Sequence, residues 1–135
     1  MIGKKHIYEF LVKEQHLDSF GHVNNAVYLT LFEEARWDLV TQNGYGLEET
    51  AKRKLGPVIL EVTLKFRREL RLRERILVET HLAAYSRKIG SIHQEMKNEK
   101  GETCAIADFK FGLFNMVTRR LVHPTPEWLK GVGAT

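Results

Sequence analysis

The feature that most constrains this chain is a change of hydrophobic period, from helical spacing to alternation, that is made for good. One stretch near the start, Val27 to about Thr41, has helical spacing, and almost everything after Leu60 alternates. In the helical stretch apolar residues occupy most faces of the first two turns: Val27, Tyr28, Leu29, Leu31 and Phe32. A helix that is apolar nearly all round is one that expects to be buried. Beyond the Gly56-Pro57 break, Leu60, Val62, Leu64 and Phe66 alternate with Glu61, Thr63, Lys65 and Arg67. Ile76, Val78, Thr80 and Leu82 repeat the pattern, then Ile92 and Met96, then Ala105, Ala107, Phe109, Phe111 and Leu113. This is the period-2 signal of half-buried strands. Asn98-Glu99-Lys100-Gly101 is a hairpin turn between two of them.

Before the helix, Tyr8, Phe10 and Val12 alternate with Glu9 and Lys13 as a first strand. Gly44 and Gly46 end the helix, Leu47–Lys54 is a short polar helix candidate, and Leu121-Val122-His123 a candidate last strand. The order is strand, long helix, then four or five antiparallel strands. One buried helix beside one long meander is solved by a sheet that curls around the helix. The class is therefore α+β, an antiparallel sheet of five or six strands wrapped around one long helix. No linker or internal repeat divides residues 1–135, so a single domain is expected. The open sheet edges and any uncovered helix face predict a homodimer or a homotetramer built from dimers.

Composition narrows the setting. At 135 residues the chain is long enough to build a core without metals or disulfides. The lone Cys104 has no intramolecular partner and lies within a strand pattern, where packing is its expected role. No stretch approaches the roughly 20 apolar residues of a membrane span. Met1 to Lys5 run straight into a strand pattern without a signal-peptide core, so the cytoplasm is the expected compartment. The formal charge is +4, with basic residues in Arg67–Arg75, at Arg87-Lys88 and at Arg119-Arg120, mixed with Glu69 and Glu74. A solvated face comes first as a reading, an anionic small ligand such as a nucleotide tail second. Nucleic acid comes last, because neither zinc spacing nor an RNP-like aromatic motif accompanies the charge.

The informative segment is His16-Leu17-Asp18-Ser19-Phe20-Gly21-His22-Val23-Asn24-Asn25-Ala26-Val27-Tyr28. Asp18 stands seven residues before Asn25, across a glycine-containing turn that can fold it back toward the helix start. A helix N-terminus offers unpaired N–H groups and a positive dipole end. One short segment can thus supply a carboxylate, to attack a carbonyl carbon or activate water, and a donor for the oxygen where negative charge develops. The competing reading makes Asp18 a turn-forming or capping aspartate. Asn24 and Asn25 are first of all capping side chains.

The segment resembles the D-x-x-G-[HIV]-V-x-x-x-x-Y signature of hot-dog-fold acyl-CoA thioesterases, the 4-hydroxybenzoyl-CoA thioesterase and YbgC-like family. Tyr28-Leu29-Thr30-Leu31-Phe32-Glu33-Glu34-Ala35-Arg36 is similar to the helix of that family, and the strand order agrees over essentially the whole chain. His22-Val23-Asn24-Asn25 further resembles plant acyl-carrier-protein thioesterases, although these usually carry asparagine where this chain has Phe20.

The resemblance implies a hot-dog fold and hydrolysis of an acyl-CoA to a free acid and CoA. It implies Asp18 as nucleophile or general base and the Asn25 N–H as oxyanion donor. His22 would bond the thioester oxygen, orient Asp18 or merely satisfy the turn. Gly21, Asn24, Tyr28 and Glu33 would support the site, Glu33 otherwise pairing with Arg36. Pro57, Val58 and Ile59 would line the acyl pocket from a partner subunit. The turn Tyr85-Ser86-Arg87-Lys88 would hold the CoA phosphates through Ser86, Arg87 and Lys88, or simply be solvated. No cofactor is implied, CoA being part of the substrate, and acyl carrier protein is the other carrier to consider.

Two other classes compete. A hot-dog dehydratase would share the fold, but the H-F-P-like segment usual in fatty-acid dehydratases is absent. A non-catalytic acyl-CoA-binding module would bind without turnover. The six histidines lack metal spacing, and neither a G-x-S-x-G elbow nor a Gly-rich nucleotide loop occurs.

Overall fold

The computed structural model describes residues 2–135. Strand β1 (His6–Leu11) leads through a 3-10 turn at Glu14–His16 to helix α1 (Asn25–Gln42) and the short α2 (Leu47–Arg53). Four long strands follow: β2 (Leu55–Phe66), β3 (Arg75–Ser86), β4 (Ile89–Lys97) and β5 (Thr103–Asn115). A short β6 (Arg120–Val122) and helix α3 (Pro126–Gly131) complete the described chain. The sheet order is β1-β3-β4-β5-β2, all antiparallel, with β6 added to β5. Six strands wrapped along one long helix is the architecture expected from the sequence.

Helix α1 begins where Asn24, in an extended conformation, turns its side-chain oxygen to accept the Ala26 N–H at 2.9 Å. It ends at Asn43, after which Gly44 takes a φ of +88° that a side chain would resist. Its buried face carries Tyr28, Leu31, Phe32, Ala35, Leu39 and Val40. These pack on the inward residues of the sheet: Ile76, Val78 and Leu82 from β3, Met96 from β4, and Ala105, Ala107, Phe109, Phe111 and Leu113 from β5. The helix is not covered all round, however. Leu29, Thr30 and Glu33 face outward, with Leu29 38% exposed, because the sheet reaches only one side of it.

Gly56-Pro57, read above as a break, lies inside β2, with Pro57 opposite Leu113. Proline is tolerated because β2 is an edge strand paired only with β5, so no neighbour needs its missing N–H. A bulge between Ile59 and Glu61 shifts the register. The strand's apolar residues are correspondingly uncovered, Val62 at 41% and Phe66 at 52% exposure.

Helix α3 has no counterpart in the sequence pattern. Thr125 caps it by accepting the Trp128 N–H at 3.1 Å, and Pro126 fills its first turn. Trp128 is buried against Tyr45 and Phe111, its indole N–H donating to the Tyr85 hydroxyl at 3.1 Å. Cys104 is buried, as a strand residue among packed neighbours should be.

The core divides in two. One cluster surrounds Phe32, Val78 and Phe109; the other surrounds Leu39, Leu82, Phe111 and Trp128. Between them on β4 sits the fully buried Gln94. Its amide donates to the Phe32 carbonyl at 3.0 Å and the Thr80 hydroxyl at 2.9 Å, and accepts from Arg36 at 3.1 Å.

Candidate active site

The segment 16–25 folds as a small closed loop before α1. Leu17 and Val23 form an isolated antiparallel bridge, and the Asp18 N–H donates to the His22 carbonyl at 2.8 Å. Gly21 makes the reversal possible with a φ of +80°. Asp18, half-buried, accepts the Phe20 and His22 N–H groups on Oδ1 at 2.9 and 3.2 Å. This is the turn-forming role weighed above, and it occupies one carboxylate oxygen. No protein donor reaches Oδ2 among the described residues.

The loop abuts a cavity of about 560 Å³. One wall is His22, Val23, Asn25 and Tyr28; the facing wall is the end of β2 and the residues beyond it, Phe66 to Glu69. Asn25 is the first residue of α1, and among the described residues its N–H meets no acceptor. The helix thus has an unpaired donor at its positive end, in a residue that lines the open cavity. Tyr28 is buried edge-on against Phe66 at 4.9 Å between ring centres, and burial pushes its phenol pKa up. His22 Nε2 lies 3.4 Å from Glu69 Oε1, both side chains more than half exposed. Asp18 is not part of the cavity wall; it reaches it through the His22 backbone. Asn24 is the helix cap, as its residue type suggested.

Asp18, Gly21, His22, Asn24, Asn25 and Tyr28 are therefore brought together. Glu33 is not with them. It stands eight residues beyond Asn25, about 12 Å along the helix. It is exposed and makes no ion pair with Arg36, whose bond goes to Gln94 and whose guanidinium lies 4.0 Å from the Phe109 ring centre. Burial pulls the Arg36 pKa down to about 10, with the nearby Glu33 charge opposing. Glu33, Pro57 and Ile59 share a narrow slot with Arg36, Trp37, Val40 and Trp128, along the second half of α1. Val58, half-buried, pairs with Gly112.

Ser86, Arg87 and Lys88 form the exposed β3–β4 turn, Arg87 with a φ of +55°. Ser86 is eleven residues from Arg75, about 36 Å along the strand. Arg75 follows Glu74, whose carbonyl accepts the Val12 N–H near the Asp18 loop, so the turn is remote from Asp18 within the chain. Sequence reasoning does not place Phe66, Arg67, Arg68 and Glu69 in the site. The only signal for them is the charge run Arg67–Arg75.

The family model of the thioesterase-like superfamily matches residues 12–132, which hold the loop, helix α1 and every strand of the sheet but β1. The chain belongs to that superfamily. Among curated relatives it is similar to the long-chain acyl-CoA thioesterase FadM of Escherichia coli, 29% identical over 110 residues, covering 81% of this chain and 83% of that protein. It is also similar to the acyl-acyl carrier protein thioesterase ATL2 of Arabidopsis thaliana, 34% identical over 85 residues, covering 63% of this chain and 45% of that one. Among solved structures, the protein SAV2348 of Staphylococcus aureus in complex with CoA superposes with a TM-score of 0.88 at 19% identity. That match covers 98% of this chain and 84% of the other, which is a likeness of fold. The superfamily member described here has the hot-dog fold, and it falls among thioester hydrolases.

Proposed function

We propose that this thioesterase-like protein hydrolyses an acyl-CoA to a free acid and CoA at the cavity beside Asn25. The observation that carries the reading is the unpaired N–H of Asn25, a residue that lines the cavity and stands seven residues after Asp18 across the closed loop. A thioester carbonyl seated there would place its oxygen against the helix N-terminus, where developing negative charge meets a fixed donor and the helix dipole. Asp18, with Oδ2 uncommitted, is the carboxylate for direct attack or for activating water. His22 is the polar side chain beside both, held toward Glu69.

The acyl group is to be found with a panel of acyl-CoAs of varied length and aromaticity, scored by free-thiol release. Turnover of at least one member is the expected result; no thiol release from any would leave the reading without support. The second reading, an acyl-CoA-binding module, is favoured by one observation: Asp18 Oδ1 is spent on the turn and its side chain stands behind the cavity wall. Ligand bound without thiol release would select it. Acyl carrier protein is the alternative carrier, supported by the likeness to the Arabidopsis relative.

A homodimer or homotetramer is part of the proposal. The unpaired β2 edge shows Leu60, Val62 and Phe66 to solvent beside the exposed Leu29, an apolar margin that a second copy would cover. Pro57, Val58 and Ile59 would then serve the partner's cavity, since they are remote from their own. A cytoplasmic site of action fits the buried free thiol of Cys104 and the absence of any helix long and apolar enough to cross a membrane among the described residues.

A further inference from the structure

The cavity beside Asn25 does not stop at its far wall. Arg67, Arg68 and Glu69 also line a second cavity of about 460 Å³, which continues toward Arg71 and Lys100. The two spaces share three consecutive residues. The backbone there is fixed, because the Arg67 and Arg68 N–H groups both donate to the Cys104 carbonyl, at 2.8 and 3.0 Å.

We infer that this second cavity holds the phosphates of CoA while the thioester lies in the first; the inference rests on the thioesterase reading above. The cations differ in whether they are already engaged. Arg68 pairs with Glu102 at 3.1 Å, Arg73 with Glu14 at 2.7 Å and Arg75 with Glu9 at 3.7 Å. Among the described residues no carboxylate lies within 4.0 Å of the charged ends of Arg67, Arg71 or Lys100. The three acids of the cavity each have a partner: Glu69 lies 3.4 Å from His22 Nε2, Glu74 accepts the Arg71 N–H at 3.1 Å, and Glu102 accepts from Asn98 at 3.0 Å besides Arg68. Three uncommitted cations around one concavity suit phosphate, for which guanidinium offers a planar fork and ammonium a point charge.

CoA is a thiol arm with its phosphates at the far end, so a thioester cavity opening into a cationic one matches its layout. The interleaved Glu69, Glu74 and Glu102 favour separate small phosphates over the broad acidic face of a carrier protein. The Ser86–Lys88 turn cannot take this role within one protomer, being at the opposite end of the sheet.

The test compares kcat/KM for an acyl-CoA with that for the same acyl group on N-acetylcysteamine, which has no phosphates. In Arg67→Gln, Arg71→Gln and Lys100→Gln the preference for the CoA ester should fall, by about tenfold for each charge-assisted hydrogen bond removed. Free CoA titrated into the same variants should bind correspondingly more weakly, and added salt should reduce the wild-type preference. The inference is overturned if the preference survives in all three. It is equally overturned if the preference collapses instead in Arg87→Gln or Lys88→Gln, or if only an acyl-carrier-protein substrate is affected. Should the wild type cleave no thioester, the catalytic reading fails, and the CoA titration alone decides the phosphate site.

Discussion

Arg36 donates to Gln94 across the gap between α1 and the centre of the sheet, at 3.1 Å. Gln94 is wholly buried and ties this guanidinium to the Thr80 hydroxyl and the Phe32 carbonyl, between two apolar clusters. Gln94→Leu would take the hydrogen-bond partner from the buried Thr80 hydroxyl and from the part-buried Arg36 guanidinium, leaving the Phe32 carbonyl only its bond within the helix. It should cost about 2–3 kcal/mol or more in urea unfolding, well above a typical surface change.

Trp128 predicts a second loss. It is buried against Tyr45 and Phe111. Trp128→Ala should destabilise by about 3–5 kcal/mol, and Trp128→Phe by less, since most of the ring volume stays. Thermal or urea unfolding checks both.

His93 predicts a pH dependence. It stands on the outer face of the sheet, its Nδ1 2.7 Å from Asp108 and its Nε2 2.7 Å from Glu95, with the His81 ring beside it. Two carboxylates on opposite ring nitrogens call for the doubly protonated imidazolium. Burial acts to lower its pKa, but the hydrogen bonds and charges of Asp108 and Glu95 outweigh it and the pKa is raised. A raised folded-state pKa stabilises the fold fully below the unfolded value near 6.5, and the gain is lost as pH rises through the folded value. The stability difference between wild type and His93→Gln should therefore shrink from pH 5.5 to pH 8.5; a constant difference would contradict the assignment.

Asn25→Pro isolates the proposed donor. Proline is accepted at the first helical position, and Asn24 already has the extended conformation (φ −60°, ψ 140°) that a following proline requires. The variant should keep the fold and lose about 10²- to 10³-fold in kcat, whereas Asn25→Ala, which retains the N–H, should stay near wild type.

Much of this is legible in the sequence because period-2 and helical spacing are imposed by burial. The inner faces of β3 and β5 read directly from Ile76-Val78 and from Ala105 to Leu113. Pro57 misleads because its cost depends on whether a neighbouring strand exists, which is a property of topology and not of local sequence. Helix α3 is too short to show a period, and its signals, a threonine cap and Pro126, resemble those of a turn. At the site, the loop before α1 follows from Gly21 and the two asparagines. The facing wall of Arg67 and Arg68 comes from forty residues later in the chain, and only the pairing of β2 with β5 brings it there.

Asp18→Asn tests the central claim most directly. Asparagine can still accept the Phe20 and His22 N–H groups, so the turn should hold and unfolding should be unchanged. Thiol release from the best acyl-CoA should fall about 10²- to 10⁴-fold, while binding of free CoA stays within a few-fold of wild type. Full turnover by the folded variant would show that the Asp18 carboxylate serves only the turn and would contradict the mechanism.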